Sequence, residues 1–409
     1  MNRAQATLLV VDDNEDNRFT LTRRLAREGY ANVVTANDGR QGLELLRSQD
    51  VDLVLLDISM PELNGYQVLE QLKNDPRLRD IPVIMISAVD EIDSVVRCIE
   101  LGAEDYLTKP FNPTLLRARV GASLEKKGLR DEVRHSLQRL ESELDAARRL
   151  QLTMLPDRFP EWSADRPVHL HAFMQPAREV GGDLYDFFYP CAGLFCFLVG
   201  DVSGKGAPAA LFMARARSLV RLAVDLCQRF AREHCDPAFI AQIVNRELCQ
   251  NNPDCMFVTL FLGFLDTTDG ALTFVNAGHP APRIQAVSGR VDRLRTKAQL
   301  PLGVRSESAY DVHTVRLKPG EVLLLCSDGI ADATNREEAF YTEARIEDEL
   351  RTARGEAPSE IIARIRSDVD RFAGGASQAD DMTMLALRWD PLSDRSAGES
   401  PPGPPRLGN

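Results

Sequence analysis

The sequence predicts a multidomain chain: a doubly wound α/β module with a five-stranded parallel sheet, then an α+β sandwich of two sheets flanked by helices, with a coiled-coil-like helix between them. Three patterns predict it. From Thr7 to about residue 124, short apolar runs alternate with amphipathic segments, as a parallel sheet covered by helices requires. A charge-rich stretch then places apolar residues four and three apart. Beyond it, strand-like runs end in acidic or turn residues and are broken by two helical stretches. At roughly 100 to 200 residues per domain, a chain of 409 residues accommodates a division into 1–124, 125–155, 156–390 and a tail at 391–409.

In the first module the strands are TLLVV, VVTA, DLVLLD, PVIMIS and DYLTK, and helices start at Glu15, at Gly39, near Tyr66, near Ser94 and at Pro113. Ligands of such folds sit at the carboxyl ends of the strands. The polar residues fall there: Asp12 and Asp13 after the first strand, Asp57 after the third, Ser87 after the fourth and Lys109 after the fifth. Three carboxylates brought together resist ionising unless a cation neutralises them. Mg²⁺ suits such a site, because it keeps several waters and needs only one or two carboxylates plus a phosphate oxygen. A lysine and a hydroxyl facing the same cavity complete a site for phosphoryl chemistry on Asp57.

The strings VVDDNEDNR, LLDISMPELNGY, MISA and YLTKPF, in this order and spacing, resemble the receiver domain of bacterial response regulators over about residues 5 to 124. The resemblance implies that Asp57 is the phosphoacceptor, that Asp12, Asp13 and Asp57 bind Mg²⁺, that Ser87 and Lys109 contact the phosphoryl group, and that Tyr106 is the aromatic switch. It also implies a cis Lys109–Pro110 peptide, which proline makes accessible, and a sensor histidine kinase or phosphotransfer protein as phosphodonor.

Between the modules, Val133, Leu137, Leu140, Leu144 and Ala147 step by four, three, four and three residues, which is a coiled-coil seam. Gln151 interrupts the next seam position, Met154 resumes it, and Pro156 and Pro160 stop the helix. The seam is read as a parallel linker that makes a homodimer; an amphipathic helix packed on its own domain is the alternative.

In the last module, HLHAFM, DLYDFFY, LFCFLVGD, FVTLFLGFLD, ALTFVNAG, VLLLCSDG and MTMLALRW read as strands, with helices near residues 207–232 and 237–250. Acids again sit at strand boundaries: Asp183, Asp201, Asp328, Asp380 and Asp381. If the two sheets bring these ends together, the charge requires metal ions, and an all-oxygen set favours Mg²⁺ or Mn²⁺ over zinc. Lys205 follows Gly204 without the full P-loop pattern, which argues against ATP binding.

REVGGDLYDFF, GDVSGKGAPAALFMA, NAGHPAP, LPLGV, LLLCSDGIADATN and ADDMTML resemble, in family order, the metal-dependent PPM-type Ser/Thr protein phosphatases, in the branch of bacterial sporulation and sigma-factor regulators. RRLQLTMLP resembles that branch's lead-in, so the resemblance covers about residues 145 to 390. It implies two Mn²⁺ or Mg²⁺ held by Asp183, Asp201, the Val202 carbonyl, Asp328 and Asp380, with Asp381 a neighbouring acid, and catalysis by Asp201 and Asp328 through metal-activated water. Ser203 stands near the place of a histidine in eukaryotic relatives, which leaves the general acid unassigned. His279 is open to a structural or a chemical reading, the structural one being commoner for a histidine in a strand-end turn.

Together the modules read as a two-component response regulator whose output removes phosphate from serine or threonine. The resemblance implies a phosphorylated anti-sigma-factor antagonist as substrate. A non-catalytic partner-switch scaffold is the alternative; a diguanylate cyclase is disfavoured, because Leu184 and Tyr185 follow Gly181-Gly182-Asp183 in place of Glu-Phe. The 61 acidic against 49 basic residues, a net charge of −12, argue against a nucleic-acid binder, whose affinity comes from clustered Lys and Arg. The eight cysteines show no metal-ligand spacing. No stretch approaches the roughly 18 apolar residues of a membrane span, so a cytoplasmic place is expected. The tail, rich in Pro, Gly and Ser, is expected to be disordered.

Overall fold

The computed structural model describes residues 3–87, 92–160, 167–230, 236–297 and 299–391. The chain divides into two compact units, Met1–Glu141 and Ser142–Asn409. All but the first residue of the tail lies outside the described residues.

The first unit runs β1 (Thr7–Val11), α1 (Glu15–Arg27), β2 (Asn32–Ala36), α2 (Gly39–Ser48), β3 (Leu53–Asp57), α3 (Gly65–Asn74), β4 (Val83–Ser87), α4 (Ile92–Glu100), β5 (Asp105–Thr108) and the larger part of α5 (Pro113–Met154), whose end belongs to the second unit. The strands form one parallel sheet in the order β2-β1-β3-β4-β5. Because side chains alternate along a strand, Leu8 and Val10 enter one core with Leu21, Leu25 and Leu116, while Leu9 and Val11 enter another with Leu43, Leu46 and Leu69. Side-chain caps start the helices: Asn14 for α1, Asp38 for α2, and a reciprocal Asn64–Gln67 box for α3.

Helix α5 differs from the separate linker helix that the sequence predicts, since it runs 42 residues without a break from the first module through the seam. Gly121 and Gly128 do not stop it; a helical glycine costs only about 1 kcal/mol. Its first turns bury Leu116, Val120 and Leu124. Lys127 then pairs with Asp52 at 3.1 Å and Arg134 with Asp80 at 2.6 Å. The seam residues Val133, Leu137 and Leu140 are exposed.

The second unit runs β6 (Val168–Gln175), β7 (Leu184–Cys191), β8 (Leu194–Val202), α6 (Ala207–Phe230), α7 (Pro237–Cys249), β9 (Val258–Asp266), β10 (Ala271–Ala277), β11 (Arg283–Gln285), β12 (Val291–Arg293), β13 (His313–Arg316), β14 (Val322–Cys326), α8 (Asp328–Ala331), α9 (Glu343–Thr352), α10 (Pro358–Ala373) and β15 (Met382–Trp389). Two antiparallel sheets result, β13-β10-β9-β8-β7 and β12-β11-β14-β15-β6. Phe195, Phe197, Phe261 and Phe274 of the first meet Leu323, Leu325, Leu385 and Leu387 of the second in one core. Helices α6 and α7 cover the first sheet; α9 and α10 cover the second.

Helices α9 and α10 lie outside the two predicted helical stretches. Their signal is nonetheless in the sequence: Pro358 at a helix start, then Ile361, Ile362, Ile365 and Val369 on one buried stripe. Helix α6 is anchored by a fully buried acid of β7, Asp186, which takes Arg217 at 2.9 Å and Arg221 at 2.5 Å.

Candidate functional site

In the first unit the topology brings the ends of β1, β3, β4 and β5 together. The ligand atoms of Asp12, Asp13 and Asp57 lie within 4.8 Å of one another. Lys109 reaches between the strands and meets Asp12 and Asp57 at 2.9 Å each. Its backbone N–H donates to the Ser87 carbonyl at 2.7 Å, and the bond after it, Lys109–Pro110, is cis. Asp12 also accepts from the Asn14 amide and the Asn17 side chain. A Cβ on Gly65 would overlap the Asp57 carbonyl oxygen, so the first residue of α3 must be glycine for the loop after β3 to close. Burial pushes the Asp57 carboxyl up, against the pull of Lys109 and with added repulsion from Asp12 and Asp13. Lys109 is itself raised, since its bonds to the two acids outweigh its own burial. One ammonium thus meets two of the three carboxylates, Asp12 and Asp57, which leaves net negative charge for a hard cation. Tyr106, two residues before the end of β5, is half-buried with the Arg119 guanidinium 4.9 Å from its ring centre.

In the second unit, Asp183 stands just before β7, Asp201 and Val202 end β8, Asp328 opens α8 and Asp380 precedes β15. Asp183 is 1% exposed and neither carboxylate oxygen has a hydrogen-bond partner. The hydroxyls of Thr383 and Ser327 face it and oppose its shift, but neither is placed for a full hydrogen bond. Burial, then repulsion from Asp201, drives its pKa well up. Asp201 is pushed up to about 7 by burial and then by Asp328, with Asp380 and Asp381 adding to it. Asp328 is raised by burial, Asp380 and Asp332. A buried carboxyl with neither hydrogen bond nor counter-charge is a costly arrangement that a cation would relieve. The residues present therefore fit metal binding. They are spread more widely than the receiver acids, which alone among the described residues place three ligand atoms within 4.8 Å.

The response regulator receiver domain model matches residues 8–121, and the stage II sporulation protein E (SpoIIE) model matches residues 192–390. The chain joins a response-regulator receiver domain to a SpoIIE-type domain. Protein IcfG of Synechocystis is 31% identical over 276 residues, 63% of this chain and 42% of that protein. The probable transcriptional regulator ycf27 of Guillardia theta is 42% identical over 119 residues, 29% of this chain and 45% of that protein. The chain thus spans less than half the length of either relative. The SiaA-PP2C domain of Pseudomonas aeruginosa superposes with a TM-score of 0.54 at 25% identity, covering 62% of this chain and 99% of that one.

Within the SpoIIE-type domain the two neighbouring acids part company. The Asp381 carboxylate accepts from the backbone N–H of Ala177 at 2.7 Å and of Gly182 at 2.6 Å, and more weakly from that of Asp183 at 3.4 Å. Asp381 thereby holds the loop that carries Asp183. Asp380 instead faces Lys205 at 3.2 Å, and Lys205 also donates to the Ala379 carbonyl. The Ser203 hydroxyl accepts from the Phe257 N–H at 2.9 Å, a structural task. His279 is buried and its pKa falls to about 3 through desolvation; Nδ1 lies 3.1 Å from the Thr259 hydroxyl, and Nε2 has no partner. A neutral, enclosed imidazole matches the structural reading of His279.

Two features of the SpoIIE-type domain escape sequence reasoning. The Asp186 ion pairs with α6 are one. Gln151 is the other: its side chain is buried and bonds to both the N–H and the carbonyl of Gly181.

Proposed function

We propose that this protein is a two-component response regulator whose output is metal-dependent hydrolysis of phosphoserine or phosphothreonine on a regulatory protein, controlled by phosphorylation of Asp57. The observation that carries the reading is Asp183, a buried carboxyl without a partner beside an Asp201 raised to about 7. Asp183, Asp201, the Val202 carbonyl, Asp328 and Asp380 are the proposed donors to two Mn²⁺ or Mg²⁺; an all-oxygen set suits both ions. The wide spacing of the acids favours two ions over one, and Asp201, which adjoins Asp183 and is repelled by Asp328 and Asp380, is the natural shared donor. When bound, the pair supplies Lewis acidity for phosphomonoester hydrolysis. The chain's own residues orient that site: Asp381 fixes the loop before β7, and Lys205 offsets charge at Asp380.

In the receiver, Asp12, Asp13 and Asp57 are the proposed Mg²⁺ donors, Asp57 the group that accepts the phosphoryl, and Ser87 and Lys109 its contacts. Tyr106, at the edge of the same sheet end, is the proposed switch. The proposed phosphodonor is a sensor histidine kinase or phosphotransfer protein, the proposed substrate a phosphorylated anti-sigma-factor antagonist, and the exposed seam of α5 the contact of a homodimer. No helix among the described residues is long and apolar enough to cross a membrane, which is compatible with a cytoplasmic place.

The test is the purified chain with Mn²⁺, offered a phosphoserine peptide and, separately, GTP. Phosphate release from the peptide that Asp201→Ala and Asp328→Ala abolish is expected. Peptide binding without release would make the protein a scaffold, and a cyclic dinucleotide product would refute the reading outright.

A further inference from the structure

Gln151 inverts the polarity of its surroundings on α5. It is 4% exposed, whereas the apolar Leu150, Leu152 and Met154 beside it are 65%, 39% and 41% exposed. Burying a primary amide is costly unless its polar atoms are satisfied. Here one residue satisfies both ends: Nε2 donates to the Gly181 carbonyl at 2.5 Å, and Oε1 accepts from the Gly181 N–H at 3.1 Å. The side chain thus pairs with Gly181 as a neighbouring strand would. Gly181 itself leaves no room for a side chain, because a Cβ there would overlap the Asp381 carboxylate.

Asp183 lies two residues further on. Its carboxylate has no hydrogen bond of its own, so its place is set by the backbone that carries it. That backbone contains two successive glycines, the most freely turning residues available. It is gripped at two points, by Asp381 on the amides of Ala177 and Gly182, and by Gln151 on Gly181. The first grip comes from the residue just ahead of β15, the second from the last turn of the helix that begins in the receiver.

We propose that Gln151 is a positioning residue for the metal site: through Gly181 it holds the Asp183 carboxylate in register with Asp201, so that the end of α5 sets the metal affinity. This rests on the reading of Asp183 as a metal ligand. Partners that orient ligands in this indirect way typically govern metal affinity by about 10- to 100-fold. The glutamine does not touch the reacting atoms, so its effect belongs in metal binding rather than in the chemical step.

The experiment measures Mn²⁺ binding to the full chain by the electron paramagnetic resonance of free Mn²⁺, subtracting the same titration of an Asp201→Ala chain, which retains the receiver acids. Gln151→Ala is expected to weaken the remaining binding by about 10-fold or more. Its kcat on p-nitrophenyl phosphate should be largely restored at saturating Mn²⁺, and its metal-free melting temperature nearly unchanged. Gln151→Glu keeps the acceptor for the Gly181 N–H but loses the donor to its carbonyl, and should fall between; it decides the matter if the alanine variant folds poorly. Either variant binding Mn²⁺ as the wild type does would overturn the proposal, as would an affinity loss that merely tracks a lowered melting temperature. A wild-type chain that binds Mn²⁺ through Asp201 but releases no phosphate sinks the phosphatase reading and leaves the role of Gln151 standing. A wild type that binds no more Mn²⁺ than the Asp201→Ala chain overturns both.

Discussion

Replacing Asp201 by asparagine should stabilise the metal-free SpoIIE-type domain at pH 8. Its carboxyl stands at about 7 in the folded chain, against an ordinary 3.8, through burial first and Asp328 second. A raised acid pKa means that the native state keeps a proton the unfolded chain has released, so stability is lost as pH rises from the unfolded value through the folded one. At 1.36 kcal/mol per pH unit, the full interval from 3.8 to about 7 corresponds to about 4 kcal/mol. Partial exposure of Asp201 and proton sharing with Asp183 reduce this to about 2 to 4 kcal/mol. At pH 5 only the interval above 3.8 counts, less than half of the whole. With roughly 2 to 4 °C per kcal/mol for a domain of this size, the variant should melt about 5 to 15 °C above the wild type in EDTA at pH 8, and the gap should shrink by more than half at pH 5. Saturating Mn²⁺ should reverse the order, because only the wild type gains from binding. Trp389 is buried in the core of this domain, so its fluorescence reports the melt. A variant that melts below the wild type in EDTA at pH 8, or by the same margin at both pH values, refutes the reasoning.

Asp57→Asn should reduce phosphorylation by acetyl phosphate to background on a phosphate-affinity gel; labelling at the wild-type level would move the acceptor elsewhere. Asp186→Ala leaves Arg217 and Arg221 without their buried partner and should cost about 3 to 5 kcal/mol in urea unfolding followed by tryptophan fluorescence. Leu137→Glu places a charge in the exposed seam of α5 and should convert a dimer to a monomer in light scattering; a wild-type monomer at all concentrations removes the dimer from the reading.

The parallel sheet was legible because its inner strands β1, β3 and β4 are apolar on both faces and each ends in, or runs straight into, a polar residue, Asp12, Asp57 or Ser87. The acids of both sites could be read for the same reason. Asp380 and Asp381 were separated only by the family resemblance, not by any pattern in the residues themselves; the fold supplies the physical difference, since one meets Lys205 while the other takes three backbone amides. Asp186 reads as one more acid of VGGDLYD until α6 brings Arg217 and Arg221, one turn apart, onto it. Gln151 is the sharpest case. Along the sequence it breaks a seam, and polarity alone cannot separate an exposed glutamine from a buried one whose partner lies 30 residues away.

The two sites resolve the repulsion of strand-end acids differently. The receiver site carries its own cation, Lys109, bridging Asp12 and Asp57, so its geometry is held before any ion arrives. In the SpoIIE-type domain Lys205 reaches only Asp380, and among the described residues Asp183 and Asp201 pair with no Lys, Arg or His. If that site binds the proposed ions, its uncompensated carboxylates make its affinity sensitive to the place of the Asp183 loop. On the proposed role of Gln151, a signal passed along α5 would meet this loop at Gly181. Control is therefore expected in the Mn²⁺ concentration for half-maximal activity rather than in kcat at saturation. Beryllofluoride on Asp57 should shift that concentration at least about threefold, a modest coupling by the usual 5- to 150-fold scale; a change in saturated kcat with no change in Mn²⁺ dependence would place the control beyond the metal site.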